Sequence, residues 1–398
     1  IQQLCPDGVE YKTIGEIAIE IFRGSGITRE QVTEAGAPCV RYGEIYTTYG
    51  VWFDACVSHT DESTITNKKY FEHGDILFAI TGESVEDIAK CSAYIGQERC
   101  LAGGDIVVLR HNQDPKYLSY ALSTTDAQKQ KSKGKVKSKV VHSSVPAIKE
   151  IVVPIPPLEV QREIVRILDQ FTELTAELTA ELTARKKQYE YYRDELLTKC
   201  NPPRVELRQI VKKSCSGATP AKGHSEYYEN GTIPWLRTQD VRFNEIHDIH
   251  SFITEKAVKE TAAKWIPENC VIVAISGASA GRCAINKIKT TTNQHCLNME
   301  IDDAKALYKY VYYCVASQCQ ELLSRKQGAR GDLNSSLILG LQIPLPSLEE
   351  QLRIVSILDR FDALCNDLTS GLPAEIEARR KQYEYYRDKL LTFKEVPV

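Results

Sequence analysis

The chain has 398 residues, 50 Lys and Arg against 53 Asp and Glu, a net charge of −3 and an apolar fraction of 42%. That balance excludes a disordered chain and suggests a globular protein of two or three domains. No apolar run reaches the roughly 20 residues that cross a bilayer, which excludes a helical membrane protein. No basic-then-apolar leader opens the chain, and Ile1 in place of Met suggests a processed or trimmed start. The 13 cysteines include no Cys-x-x-Cys pair. They read as reduced thiols of a cytoplasmic protein, with Cys91/Cys100 and Cys314/Cys319 as separate core positions rather than ligands.

In chain order, Val9-Glu-Tyr-Lys-Thr-Ile14 comes first, then Pro38-Cys-Val-Arg41-Tyr-Gly-Glu44-Ile45, then Ile76-Leu-Phe-Ala-Ile-Thr-Gly82. Lys129, Lys131, Lys133, Lys135, Lys137 and Lys139 follow, alternating around Gly134 with no acid among them. Alternation about a glycine predicts an extended loop or hairpin. Six lysines presented together are expected to neutralise phosphates and release counterions. The bland alternative is a solvated flexible loop.

Pro154-Ile-Pro-Pro-Leu158-Glu-Val-Gln161 then leads into a stretch without Gly or Pro that runs to about Thr198. Apolar or aromatic residues recur at Ile164, Leu168, Phe171, Leu178, Leu182, Tyr189, Tyr192 and Leu196, interrupted at Thr175 and Arg185. The spacing is that of a coiled-coil helix. About 40 residues rising 1.5 Å each make a rod near 60 Å. It contains Thr175-Ala-Glu-Leu178 and Thr179-Ala-Glu-Leu182 in tandem, and it ends before Asn201-Pro202-Pro203.

The rest repeats the first half. Val205-Glu-Leu-Arg-Gln-Ile210 answers Val9–Ile14, and Pro234-Trp-Leu-Arg237-Thr-Gln239-Asp240-Val241 has the spacing of the Pro38 segment. Val271-Ile-Val-Ala-Ile-Ser-Gly277 answers Ile76–Gly82, and Arg325, Lys326 and Arg330 stand near two glycines where the first copy has its lysine run. Pro344-Leu-Pro-Ser-Leu348-Glu-Glu-Gln351 opens a second helix with Ile354, Leu358, Phe361, Leu368, Tyr383 and Tyr386 on its seam. Lys187-Gln-Tyr-Glu-Tyr-Tyr-Arg-Asp194 recurs letter for letter at Lys381–Asp388. One module is written twice. The second helix is four residues longer between Phe361 and Tyr383 than the first between Phe171 and Tyr189. Gly371 and Pro373 there are expected to kink or restart it.

Apparent catalytic motifs do not hold up. Asn201-Pro-Pro-Arg204 has Arg where an adenine methyltransferase needs a stacking aromatic, and no glycine-rich cofactor loop precedes it. Gly277-Ala-Ser-Ala-Gly281-Arg282 lacks the Gly-Lys-Ser/Thr ending of a phosphate loop and suits a strand-to-strand turn. No histidine pairing suggests a metal.

The proline-led Leu158-Glu-Val-Gln161 and Leu348-Glu-Glu-Gln351, the two Gln-Tyr-Glu-Tyr-Tyr-Arg-Asp helices and Ile233–Val241 resemble the DNA specificity subunits of type I restriction–modification enzymes. The first copy keeps only Pro38, Arg41 and Glu44 of the last pattern. The resemblance implies an α/β (α+β) fold: two mixed target-recognition domains separated by two long antiparallel coiled-coil helices, related by a pseudo-two-fold. The implied division is 1–153, 154–200, 201–343 and 344–398. It implies two unlike half-sites in double-stranded DNA, with lysines and arginines on phosphates and polar loops on base edges. Arg41, Arg237, Gln239 and Arg242 are the motif-segment candidates. For Arg237 and Gln239 a structural role, with a salt bridge to Asp240 or Asp248, stands equally open. The resemblance further implies no catalysis, metal or cofactor in this chain. It places S-adenosylmethionine with two methylase partners, and ATP and magnesium with motor and restriction partners. A coiled-coil scaffold, or a stand-alone methyltransferase or nuclease, are the competing classes.

Overall fold

The computed structural model of the chain describes residues 5–133, 140–199, 201–324, 333–366 and 371–396. Two compact units emerge, one of residues 1–179 with 375–398, the other of residues 180–374. The division falls within the long helices, so each unit takes one sheet-bearing domain together with portions of both helical regions.

In the first unit a five-stranded sheet runs in the order Ala18–Arg23, Ile106–His111, Ile76–Ala79, Cys91–Tyr94, Trp52–Phe53. All its pairs are antiparallel except the last. In the second unit the order is Val211–Ser216, Cys296–Ile301, Val271–Ala274, Cys283–Asn286, Asn244–Ile246, again with only the last pair parallel. A smaller sheet accompanies each. Ser58–Thr60, Ala37–Val40, Cys100–Ala102 and Tyr70–Phe71 match Phe252–Ile253, Ile233–Leu236, Thr290–Thr292 and Trp265–Ile266, with the middle pair parallel in both. The first unit adds an edge strand at Val32–Thr33. The repeat read in the sequence is thus a repeat of topology.

The unbroken apolar runs follow from burial on both faces of the larger sheet. Side chains alternate along a strand. Ile76 and Phe78 therefore pack with Ile164 and Leu168 of the long helix, while Leu77 and Ala79 pack with Phe71 and Cys100 of the smaller sheet. Val271 and Val273 likewise meet Ile354 and Leu358, and Ile272 and Ala274 meet Leu236 and Ile266. A glycine is required where the first strand leaves each sheet. A Cβ on Gly24 would lie 2.2 Å from Gly103 O, and one on Gly217 1.8 Å from Thr292 O.

The first long helix spans Leu158–Thr198. The second is two pieces, Leu348–Asn366 and Leu372–Leu390, with Gly371 just outside and Pro373 in the first turn of the latter, where a missing N–H costs nothing. Within the first unit Phe171 stacks on Tyr386 with ring centroids 5.5 Å apart, and within the second Tyr192 stacks on Phe361 at 6.1 Å. Ile164, Leu168, Ile354 and Leu358 are buried, whereas Leu178 and Leu182 are half-buried. Tyr189 and Tyr383 pack against the cores from the side. Leu368 lies outside the described residues. The helical stripe thus serves the domain cores as well as helix pairing, because each domain lays a helix of its own against it. The Gly277–Arg282 segment is the turn between Val271–Ala274 and Cys283–Asn286, with Gly277 at φ +71° and Gly281 at φ +85°. No described helix is long and apolar enough to cross a membrane. Among the described residues no cysteine pair is joined as a disulfide.

Candidate nucleic-acid interface

Each sheet-bearing domain is fixed to a long helix by the same set of side chains. In the first unit the domain helix Pro115–Leu122 starts at Asp114, whose carboxylate accepts from Tyr117 N at 2.9 Å. From that helix Lys116 Nζ reaches Asp169 Oδ2 at 2.7 Å, and Tyr120 Oη donates to Asp169 Oδ1 at 2.7 Å. Tyr117 Oη donates to Pro154 O at 2.9 Å. In the second unit Lys309 Nζ lies 2.9 Å from Asp359 Oδ2, Tyr313 Oη donates to Asp359 Oδ1 at 2.6 Å and Tyr310 Oη to Pro344 O at 3.0 Å. Burial, with the carboxylate alongside, pushes the Tyr120 and Tyr313 phenols well up, so both remain donors.

The glutamine of each lead-in completes the attachment. Gln161 and Gln351 are fully buried. Gln161 Oε1 accepts from Asp114 N at 3.0 Å, and its Nε2 donates to Gln113 Oε1 and Pro156 O, both at 2.8 Å. Gln351 Oε1 accepts from Leu307 N at 2.9 Å, and its Nε2 donates to Pro346 O at 2.9 Å. Asp114 and Leu307 are both the capping residues of their domain helices. Sequence reasoning singled out the glutamines only as motif letters and missed the Lys-Tyr-x-x-Tyr of 116–120 and 309–313. That signal was present in both copies.

The smaller sheet of each domain carries the second shared feature. Strand Ala37–Val40 ends at Arg41, which caps the helix Tyr42–Thr47, and strand Ile233–Leu236 ends at Arg237, which caps the turn Thr238–Asp240. The acid three residues on closes the cap: Arg41 N donates to Glu44 Oε2 at 3.0 Å, and Arg237 N to Asp240 Oδ2 at 2.8 Å. Arg41 Nε lies 3.7 Å from Glu44 Oε1, an oxygen that also accepts from Ser58 Oγ at 2.6 Å. Among the described residues Arg237 makes no ion pair with Asp240 or Asp248, since Asp240 is committed to the backbone and Asp248 faces His250. Among the described residues the arginine Nε is, in both copies, buried without a hydrogen-bond partner. An orphaned buried donor is costly, of order 1–3 kcal/mol, so these side chains are held in place at the expense of one hydrogen bond each. Arg41 opens on a cleft of about 360 Å³ walled by Gly26, Gly43, Gly103 and Gly104, with Arg29 and Asp105 at its edge. Gln239 and Arg242 are exposed, and Arg242 Nε donates to Gln239 O at 2.7 Å.

The lysine run requires a correction. Thr124 caps a helix at Thr125–Ser132, so Lys129 and Lys131 are helical, not in a loop. One helical turn puts Lys131 on the same inner face as Ala127. Lys131 is only 4% exposed, with Nζ 3.8 Å from Cys91 Sγ and 5.9 Å from the Phe78 ring, and burial lowers its pKa. It is therefore not a surface phosphate contact. Lys129 and Lys133 are exposed. Lys135, Lys137, Lys139, Arg325, Lys326 and Arg330 lie outside the described residues. Among the described residues no cluster of His, Cys, Asp or Glu is placed to hold a metal ion.

The type I restriction modification DNA specificity domain matches residues 6–185 and, a second time, residues 204–378. The chain belongs to that family. This specificity protein is 39% identical over 258 residues to the EcoR124I/EcoR124II type I restriction enzyme specificity subunit of Escherichia coli, a match covering 62% of this chain and 63% of that one. It is 34% identical over 279 residues to a putative type I restriction enzyme specificity subunit of Haemophilus influenzae, covering 65% and 68%. The chain thus spans about two thirds of the length of these relatives. Its fold is similar to the type I restriction–modification S subunit from M. genitalium, with a TM-score of 0.54 at 15% identity over 96% of both chains. It is also similar to a chain from a structure of type I restriction–modification complex assembly, with a TM-score of 0.66 at 16% identity over 96% of this chain and 97% of that one.

Proposed function

We propose that this specificity protein reads two unlike, short half-sites in double-stranded DNA, separated by unspecified base pairs, and directs catalytic partners to them. The observation that carries the reading is the duplicated arginine turn. Arg41 and Arg237 sit at the same place of the same fold, each with an unsatisfied donor, yet in surroundings that differ. A common grip with unlike walls suits a bipartite, asymmetric target.

Partner docking is read from the identical octapeptides. Tyr191 is 66% exposed and Tyr385 60% exposed. Tyr191 and Tyr192 meet edge-on at 5.4 Å, and Tyr385 and Tyr386 do so at 5.3 Å. Two exposed rings at matching places suit one kind of partner bound twice. We assign these faces to two methylase subunits, with motor and restriction subunits joining them. The chain is itself non-catalytic and acts in the cytoplasm. S-adenosylmethionine belongs to the methylases, and ATP and magnesium to the motor subunits.

Methylome sequencing of cells expressing the chain with a methylase partner tests the reading. A single interrupted motif is expected, together with no methyl transfer, nuclease or ATPase activity by the purified chain alone. An uninterrupted motif, or methyl transfer by a preparation free of other polypeptides, would overturn it.

A further inference from the structure

The two domains differ at the wall beside the arginine turn. In the first domain Pro38 pairs with His59 across the smaller sheet and Cys39 follows it; in the second, Pro234 pairs with Phe252 and Trp235 follows. The second domain thereby gains a cleft of about 500 Å³ lined by Lys222, Tyr228, Trp235, Arg237, Ser251 and Phe252. Its aromatic groups are held from behind. Trp235 Nε1 donates to Ala218 O at 3.1 Å, Tyr228 Oη donates to Pro220 O, and the Tyr228 and Trp235 rings meet edge-on at 6.0 Å. Phe252 stands on an edge strand and is 41% exposed, although it lines an apolar cleft. The Arg237 guanidinium lies 5.8 Å from the Trp235 ring centroid with its Nε buried and unpartnered, and Lys222 is exposed at the rim.

We propose that this cleft receives one nucleobase drawn out of the duplex stack, with Phe252 as its stacking face and Arg237 and Lys222 on the adjoining backbone or base edge. The inference rests on the DNA-reading function assigned above. Flat rings whose polar ends are tied to the protein leave their faces for a flat ligand, and two cations beside them match the phosphate that accompanies a base. An exposed phenylalanine lining the same cleft as the fixed Tyr228 and Trp235 rings lowers the cost of unstacking one base, which is the main energetic obstacle to extrusion. The first domain has His59 and Cys39 at these places, so extrusion belongs to one half-site only.

The test uses the full chain in complex with its methylase partner and the duplex defined by methylome sequencing. The partner base of each pair is deleted in turn, on both strands. Deletion opposite an extruded base removes the cost of breaking that pair, so binding tightens. We expect tightening of several-fold at one position of the second domain's half-site other than the methylated base. Phe252→Ala should abolish that gain and weaken binding to the intact duplex about tenfold, whereas Phe252→Trp should keep both. Thermal melting of each variant controls for folding. Tight sequence-specific binding with no such position, or a gain that persists in Phe252→Ala, would overturn the proposal. A wild-type complex with no sequence preference at all would overturn the DNA reading itself.

Discussion

Asp169 on the first long helix accepts the Tyr120 hydroxyl at 2.7 Å, and the same oxygen lies 3.3 Å from Trp52 Nε1. Its other oxygen takes Lys116 at 2.7 Å, so one carboxylate serves three donors from two elements of the domain. In the second unit Asp359 serves, among the described residues, Lys309 and Tyr313, and Lys309 has a second acid in Glu245 at 3.0 Å. The two attachments share a plan but not a margin of safety.

Asp169→Ala should therefore destabilise the protein more than Asp359→Ala. Asp169 is 16% exposed and Asp359 37%, so solvent screens the second pair more. We expect a loss of about 3 kcal/mol for Asp169→Ala, which strands a partly buried lysine and a phenol, and roughly half that for Asp359→Ala. Urea unfolding of the full-length variants measures both. Equal losses would show that the additional Trp52 and Glu245 contacts carry no weight.

Lys131→Met separates folding from DNA contact within the lysine run. Burial lowers the Lys131 pKa, so between that lowered value and the ordinary lysine value of 10.5 the unfolded chain binds more protons than the folded one. The contribution of Lys131 to stability thus rises with pH toward that value, and at neutral pH the buried ammonium is a net cost. Met should raise stability by on the order of 1 kcal/mol at pH 7, with a smaller gain at pH 10 and no change in DNA affinity. Lys129→Ala with Lys133→Ala should leave melting unchanged, weaken binding to any DNA and flatten its salt dependence. A loss of DNA affinity in Lys131→Met, with its stability intact, would return that lysine to the interface.

These cases mark what the sequence conveyed. The duplication, the helix bounds near Leu158 and Thr198, and the break at Gly371 and Pro373 were legible because helix periodicity and proline chemistry act locally. Lys131 was misplaced because alternating lysines suit a strand-like loop, and only the Thr124 cap with an inner-facing Ala127 reveals the helix. Arg41 and Arg237 were found as motif letters. That their Nε atoms lack a hydrogen bond was not legible, since it depends on Glu44 being taken up by Arg41 N and Ser58 Oγ, and Asp240 by Arg237 N. The aromatic cleft escaped notice because Lys222, Tyr228, Trp235 and Phe252 converge only through sheet pairing.

Arg41→Ala and Arg237→Ala should each affect one half-site alone. Losing a two-pronged arginine contact to a base costs about 1–3 kcal/mol, which appears as relaxed sequence at one position of one half of the methylated motif. Lysine should not restore either, because it lacks the planar fork. Methylome sequencing of each variant reads the outcome. Uniform weakening with a salt slope reduced by about one unit would instead make the arginine a phosphate contact.

The distance between the half-sites should follow the length of the first long helix. Thr175-Ala-Glu-Leu178 and Thr179-Ala-Glu-Leu182 lie in its middle, where the side chains are exposed or half-buried and no core would be disturbed by a change in their number. Thr175 and Thr179 turn their hydroxyls back onto Phe171 O and Thr175 O at 2.8 and 2.7 Å, so a further unit would bond along the helix as these do. One unit adds four residues, about 6 Å of helix, against about 3.4 Å per base pair along one strand. It also adds about 40° beyond a full turn, which bending of the DNA or adjustment of the partners must absorb. Inserting one Thr-Ala-Glu-Leu after Leu182 should leave both half-sites unchanged and lengthen the unspecified spacer by one or two base pairs. Deleting one should shorten the spacer or abolish modification. The change is transmitted because Asp169 fixes the first domain to this helix, while Tyr189, Leu196 and Leu197 near its other end pack into the core of the second. Methylome sequencing of the insertion variant decides the matter: an unchanged spacer would mean that the helix does not set the distance.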